Sequence, residues 1–207
     1  MRHTVAIAPT LANILRENNF KRKGNVFLRI TGDGILQCIF ASKDSSLISD
    51  VHSSLSVSVR SIYEPEVFGD VKIYRGALTY PYSLFDFRRN EGFIDSAEEL
   101  LTRCCLPRLD QTMSQEFFCD LLYSMDMKCF GEVRWYIKML MIPALMRIGN
   151  HELALEYCDN VLLHNSALPR VIHMKKLLLQ EDASVVEMYL KHTQLRNWEV
   201  YNHLKFR

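Results

Sequence analysis

Apolar residues alternate with polar ones through much of the first 93 residues and recur at helical spacing after Phe93. SSLSVSVRS shows the first pattern most clearly: Leu55, Val57 and Val59 fall on one face of a strand, and Ser54, Ser56 and Ser58 on the other. NVFLRI repeats it, with Val26, Leu28 and Ile30 opposite Phe27 and Arg29. ILQCIFAS supplies another strand, TGDG between the two reads as a hairpin turn, and VKIYRGALTY reads as a fourth strand. One helix precedes the strands. Pro9 suits its first turn, and Leu11, Ile14 and Leu15 form its apolar face. Asn19 tolerates the left-handed conformation that ends a helix, and Phe20 packs back as the chain leaves.

Beyond Phe93, Asp95 or Ser96 can cap AEELLTRCCL, with Glu98 or Glu99 at capping-box spacing, and Pro107 ends or kinks that helix. Ser114 can cap QEFFCDLLYSM. Val133, Ile137, Leu140, Ala144 and Ile148 mark a helix running across Pro143, and Gly149 stops it before HELALEYCDNVLLHN begins another. Pro169 and Asp182 open two more. The expected fold is α+β: a helix and small antiparallel sheet over residues 1–93, then a helical half over residues 94–207 packed on it as one structural unit.

Charge narrows the partners. The net charge is +1, with 12 basic against 9 acidic residues up to Phe93 (+3) and 13 against 15 after it (−2). Such a chain generates no global field for nucleic acid or an acidic membrane, so neither is expected as a partner. The N-terminal MRHTVAIAPTLANILRENN lacks a proper signal core because Pro9, Arg16 and Glu17 interrupt the apolar run. No run approaches the roughly 18 apolar residues of a membrane span, and a cytoplasmic protein is expected. Cys38, Cys104, Cys105, Cys119, Cys129 and Cys158 include no CxxC and no ligand-like histidine spacing, so they read as buried reduced thiols. No metal or cofactor is expected.

Each motif has a plainer reading than its chemical one. Gly32, Asp33 and Gly34 could open a dinucleotide fingerprint, but the third glycine would fall at Gln37, and the segment lies between strands instead of opening a helix. Lys21, Arg22 and Lys23 could touch phosphates, yet a solvated basic run after a helix C-terminus also meets the negative end of the macrodipole. HELAL, from His151, would be a zinc-protease helix if Leu155 were histidine. GNHELALEYCDNVL resembles half of a tetratricopeptide repeat, with Ala154, Tyr157 and Val161 on one face, but one copy reads better as a helical hairpin. The run YPYSLFDFRRNEGF places Tyr80, Tyr82, Phe85, Phe87, Arg88 and Arg89 at the junction of the two halves, ahead of Phe93. It reads either as a crossover that packs aromatics inward or as a protein-binding surface, since aromatics and arginine dominate interface hot spots.

The order of a helix, NNFKRKGNVFLR, GDGILQ, strands and AEELLTRCCLPRLD resembles the bacterial family called domain of unknown function 4304. Phe20, Lys21, Lys23, Gly24, Asn25, Phe27, Arg29, Asp33 and Gln37 fit its pattern, while Asn19 stands for a glycine and Phe40 and Ser42 for Asn and Gln. The match is at motif level over residues 8–43, looser over 94–165 and absent beyond. The resemblance implies an α+β fold and no known activity. Small cytoplasmic families of this kind often sit beside polymorphic toxin genes, which implies a bacterial immunity protein. The expected function is therefore a non-enzymatic protein-binding protein, with toxin occlusion as its most concrete form. A helical adaptor, or a hydrolase assembled from scattered polar residues, is the alternative.

Overall fold

The computed structural model describes residues 7–24, 26–44, 52–65, 67, 72–74, 77–79, 85–88, 97–126, 132–180, 182–204 and 206. Helix α1 (Ile7–Glu17) leads into strands β1 (Lys21–Lys23), β2 (Val26–Ile30), β3 (Ile35–Asp44) and β4 (His52–Ser61). The short strands β5 (Lys72–Tyr74), β6 (Ala77–Thr79) and β7 (Phe85–Arg88) follow. Helices α2 (Ala97–Leu100), α3 (Leu106–Asp110), α4 (Gln115–Asp126) and α5 (Glu132–Arg147) come next, then α6 (His151–His164), α7 (Pro169–Leu178) and α8 (Ala183–His203). The fold is α+β, as the change of period at Phe93 indicates.

The main sheet is antiparallel in the order β1-β2-β3-β4-β7, and β5 and β6 form a separate two-stranded sheet. Three corrections to the sequence reading follow. VKIYRGALTY contributes two strands, β5 and β6, where one was expected. The strand that pairs with β4 at the end of the main sheet is β7, inside the stretch read as a crossover. Lys21–Lys23 is also a strand, paired with β2. Its Lys21 is exposed, and the ammonium sits 5.0 Å from the centre of the Tyr201 ring and 5.5 Å from that of Phe206.

Local signals produce local structure. Asn19 has φ +64°, and the amide of Phe20 reaches back to the Leu15 carbonyl, which closes α1 and turns Phe20 into the core. Between β2 and β3, the Gly34 amide donates to the Thr31 carbonyl and Gly34 takes φ +78°, the left-handed position of a three-residue hairpin loop. A Cβ there would meet Ile62 Cγ2 at 2.6 Å, so conformation and space both demand glycine. Gly149 (φ +80°) ends α5, and Asn150 then caps α6 by accepting from the Leu153 amide. Asp182 caps α8 in the same way through the Ser184 amide.

Pro107 does not end its helix. The chain passes through one π-helical turn, Leu101–Cys105, in which the Leu106 amide reaches the Leu101 carbonyl, and continues as α3. The wider turn accommodates a proline that has no amide hydrogen to give. The capping positions Asp95 and Ser96 lie outside the described residues.

The largest core cluster runs from Leu11 to Leu190 and draws side chains from both sides of Phe93. Phe27, Ile39, Leu55, Val57 and Val59 meet α1, the π turn and α5 on one face of the sheet. Residues Met139, Leu140, Met141, Ile142, Ala144, Leu145 and Met146 are all buried, so α5 is enclosed on every side, by α4, α6, α8 and β4. Each large side chain removed from water here stabilises the fold by about 1.5–3 kcal/mol.

The other face of the sheet is covered too, which corrects the expectation of an outward Ser58, while the side chains of Ser54 and Ser56 lie outside the described residues. Val26, Leu28, Leu36 and Cys38 form a second cluster with Val67 and Tyr201, flanked by Trp198, Leu204 and Phe206. Ser58 pairs with Cys38 and is buried on this same face, whereas the buried Arg29 and Gln37 lie on the first face with Phe27 and Ile39. With 21 residues and a span of about 30 Å, α8 is long enough to line the helical layer with one end and cover the sheet with the other. Asn197 fastens it by donating to the Ile62 and Glu64 carbonyls at 2.7 and 2.9 Å.

Candidate functional site

The polar residues of the TGDG hairpin and its neighbouring strands are engaged inside the protein. Arg29 donates to the Gln37 side chain, to the Asn18 carbonyl at 3.1 Å and to the Asp110 carboxylate at 2.8 Å, with its guanidinium 4.7 Å from the Phe20 ring centre. Gln37 in turn donates to the Leu109 carbonyl at 2.7 Å and to the Thr112 hydroxyl at 3.1 Å. The Asp33 carboxylate accepts from the Gln115 amide at 2.7 Å, the first residue of α4, where a negative charge suits the helix dipole. Gln115 answers by donating to the Asp33 and Gly34 carbonyls. Ser114 caps α4 as well, accepting from the Phe117 amide at 3.3 Å. The hairpin is thus a clamp between the sheet and α3–α4. Its aspartate faces a helix of the same chain.

A second buried set lies on the α8 side. Arg60 makes a two-point contact with the Glu64 carboxylate, both side chains are almost fully buried, and Arg170 stands 3.9 Å from the same carboxylate. The Arg60–Glu64 pair braces the 60–65 turn internally, Arg170 links it to α7, and Asn197 links it to α8.

Two open clefts, each about 500 Å3, flank α8. The first lies between α8 and the α5–α6 turn, with Tyr63, Arg147, His151, Glu187, Lys191 and Gln194 at its rim and Val186 and Leu190 beneath. Arg147 Nε donates to the Tyr63 hydroxyl at 3.0 Å, and the guanidinium lies 5.4 Å from the centre of that ring. The bond to Tyr63 raises the Arg147 pKa further, with the Asp33 and Glu187 carboxylates adding to it and burial opposing. The second cleft is lined by Arg170, His173, Tyr189 and Arg196 beside Pro65 and Leu168. Burial pushes the Tyr189 hydroxyl up to about 12, so it stays protonated at neutral pH. On the α8 ridge between the clefts, Met188 is 64% exposed and Leu195 56%, two turns apart on one face.

The candidate crossover divides differently. Tyr80, Tyr82 and Arg89 lie outside the described residues. Phe85, Phe87 and Arg88 belong to β7, in register with Val57, Leu55 and Ser54 of β4 at the end of the strand order. Cys38, Cys105, Cys119 and Cys158 are buried free thiols and Cys104 is half-buried, while Cys129 lies outside the described residues. Among the described residues, no group of three or more His, Cys, Asp and Glu side chains is placed to hold a metal ion, and no helix is long and apolar enough to cross a membrane.

Tyr63, Arg147 and the α8 ridge escaped the sequence reading. Tyr63 and Arg147 are 84 positions apart, and nothing local pairs them. Met188 and Leu195 carried a weak signal, two apolar residues at i and i+7 on the side of α8 opposite its buried Val186 and Leu190. No protein-family model, curated protein or solved structure matches the chain.

Proposed function

We propose that the chain is a non-enzymatic protein-binding protein whose contact surface centres on the outer face of α8. The observation that carries the reading is the exposure of Met188 and Leu195 on a ridge between two clefts with basic linings. Exposed methionine and leucine beside arginine and tyrosine form an apolar patch with the residue types that interfaces favour, methionine, arginine and tyrosine among them. The clamped hairpin supports the same conclusion from the other direction, because Asp33, the polar residue of the glycine motif, is committed to a bond within the chain. The crossover residues Tyr80, Tyr82, Phe85, Phe87, Arg88 and Arg89 are a second proposed contributor.

The most concrete form of this function is a bacterial immunity protein that occludes a cognate toxin, a reading supported by the resemblance of residues 8–43 to domain of unknown function 4304. The experiment is growth rescue. A toxin-domain protein encoded beside this chain is expressed with it or with the variant Met188→Glu/Leu195→Lys. Rescue by the native chain, lost in a variant that keeps its melting temperature, is the expected result. Undiminished rescue by that variant would move the interface off α8.

A further inference from the structure

The cleft between α8 and the α5–α6 turn has a chemistry more specific than a general contact surface. Its rim carries two permanent cations, Arg147 and Lys191, and one carboxylate, Glu187. Asp33 also acts on Arg147 through space, but it does not line the cleft, where Glu187 is the carboxylate at the rim. The rim therefore has one positive charge in excess. Tyr63 holds the guanidinium from one side, by a hydrogen bond and by its ring, and Arg147 remains exposed on the cleft side. An arginine fixed in this way keeps donors in a planar fork that matches a carboxylate in two-point contact, and little rotamer freedom is left to lose on binding. Beneath the rim the floor is closed by the buried Val186 and Leu190, and Ala183 at the start of α8 adds exposed apolar surface beside them. A cleft of about 500 Å3 has the size of a ligand pocket and lies where the sheet and the helical layer meet.

We infer that this cleft binds a carboxylate attached to an apolar group, the chemistry that an acidic and apolar segment of a partner protein presents. Arg147 takes the carboxylate, Lys191 adds the second positive charge, and the apolar portion lies against Ala183 over the floor that Val186 and Leu190 close. A phosphate is a poorer match. Its second negative charge would exceed the single surplus positive charge of the rim and lie close to Glu187. The inference rests on the protein-binding reading and names what the partner must offer beside α8.

The test uses 4-phenylbutyrate as the probe, titrated into the 15N-labelled full chain and followed through the amide signals of Gly149 and His151 and the Arg147 Nε–H signal. Saturable shifts at these positions are expected, with binding at least tenfold weaker for the neutral amide 4-phenylbutanamide. Arg147→Ala should weaken binding tenfold or more, and Glu187→Gln should strengthen it a few-fold. Because Arg147→Ala also removes the bond to Tyr63, Lys191→Gln serves as a second variant that leaves that bond intact and should weaken binding about threefold to tenfold. The inference is overturned by the absence of saturable shifts at these positions, by equal binding of the amide, or by tighter binding of inorganic phosphate at the same site. Such a failure would leave the α8 ridge to be judged by growth rescue, which depends on Met188 and Leu195 and not on the probe.

Discussion

In the hairpin region, Arg29, Asp33 and Gln37 all end in bonds to helices of the same chain, whereas along α8 the outer face leaves Met188, Lys191 and Leu195 to solvent. The first region looks functional in sequence, with glycines around an aspartate and basic residues nearby, and serves as a structural clamp. The second carries no motif, yet it exposes Met188 and Leu195 and borders both clefts. Polar residues are informative about function only once their partners are known. A buried polar group must be satisfied internally, and that need alone explains specific residues at specific positions.

The comparison can be broken by placing charge in each region. Val57→Asp puts a carboxylate into the fully buried face of β4 and should cost about 4 kcal/mol or more in urea unfolding. Glu64→Ala should cost about 3–5 kcal/mol, because it leaves the buried Arg60 guanidinium without its carboxylate. Ser58→Asp should cost about 2 kcal/mol, since the second face of the sheet is covered by the end of α8. A negligible effect of Ser58→Asp would restore the picture of a solvent-facing serine row. In contrast, Met188→Glu/Leu195→Lys should change stability by less than about 1 kcal/mol in total, and a larger loss would mean that these side chains support the fold.

The buried thiols leave stability near neutral pH unchanged and give a pH signature above it. Burial pushes Cys119 and Cys158 up to about 12, so the folded chain holds these protons where the unfolded chain, with thiols near 8.5, releases them. The contribution is fully present below the unfolded value and is lost as pH rises from about 8.5 towards 12. Stability should therefore decline on the alkaline side of pH 8.5. A thiol reagent at pH 8 should modify Cys119 and Cys158 only as fast as the protein opens, and prompt labelling of both would contradict their burial.

What the sequence disclosed was what a few neighbouring residues decide. Asn19, Gly34, Gly149, Pro169 and Asp182 each mark a helix end or turn, because φ preference and capping act within one turn of chain. The α+β order followed from the change of period. Long-range arrangement stayed hidden. Alternation in SSLSVSVRS implies one wet face, but a helix ending some 140 positions later covers part of it. The uniform burial of Met139–Met146 cancels the asymmetry by which a helix reveals its inner face. The π turn before Pro107 depends on where the helix must continue, and the bond between Tyr63 and Arg147 depends on the whole fold.

The central claim is that the signature residues clamp sheet to helices, and a double-mutant cycle between Gln37 and Thr112 tests it most directly. Gln37 lies on β3 and Thr112 between α3 and α4, and the Gln37 side chain donates to the Thr112 hydroxyl at 3.1 Å. Unfolding free energies of Gln37→Leu, Thr112→Val and the double variant should show a coupling of about 1 kcal/mol or more between the two sites. A coupling within about 0.3 kcal/mol of zero, with all variants folded, would contradict the clamp.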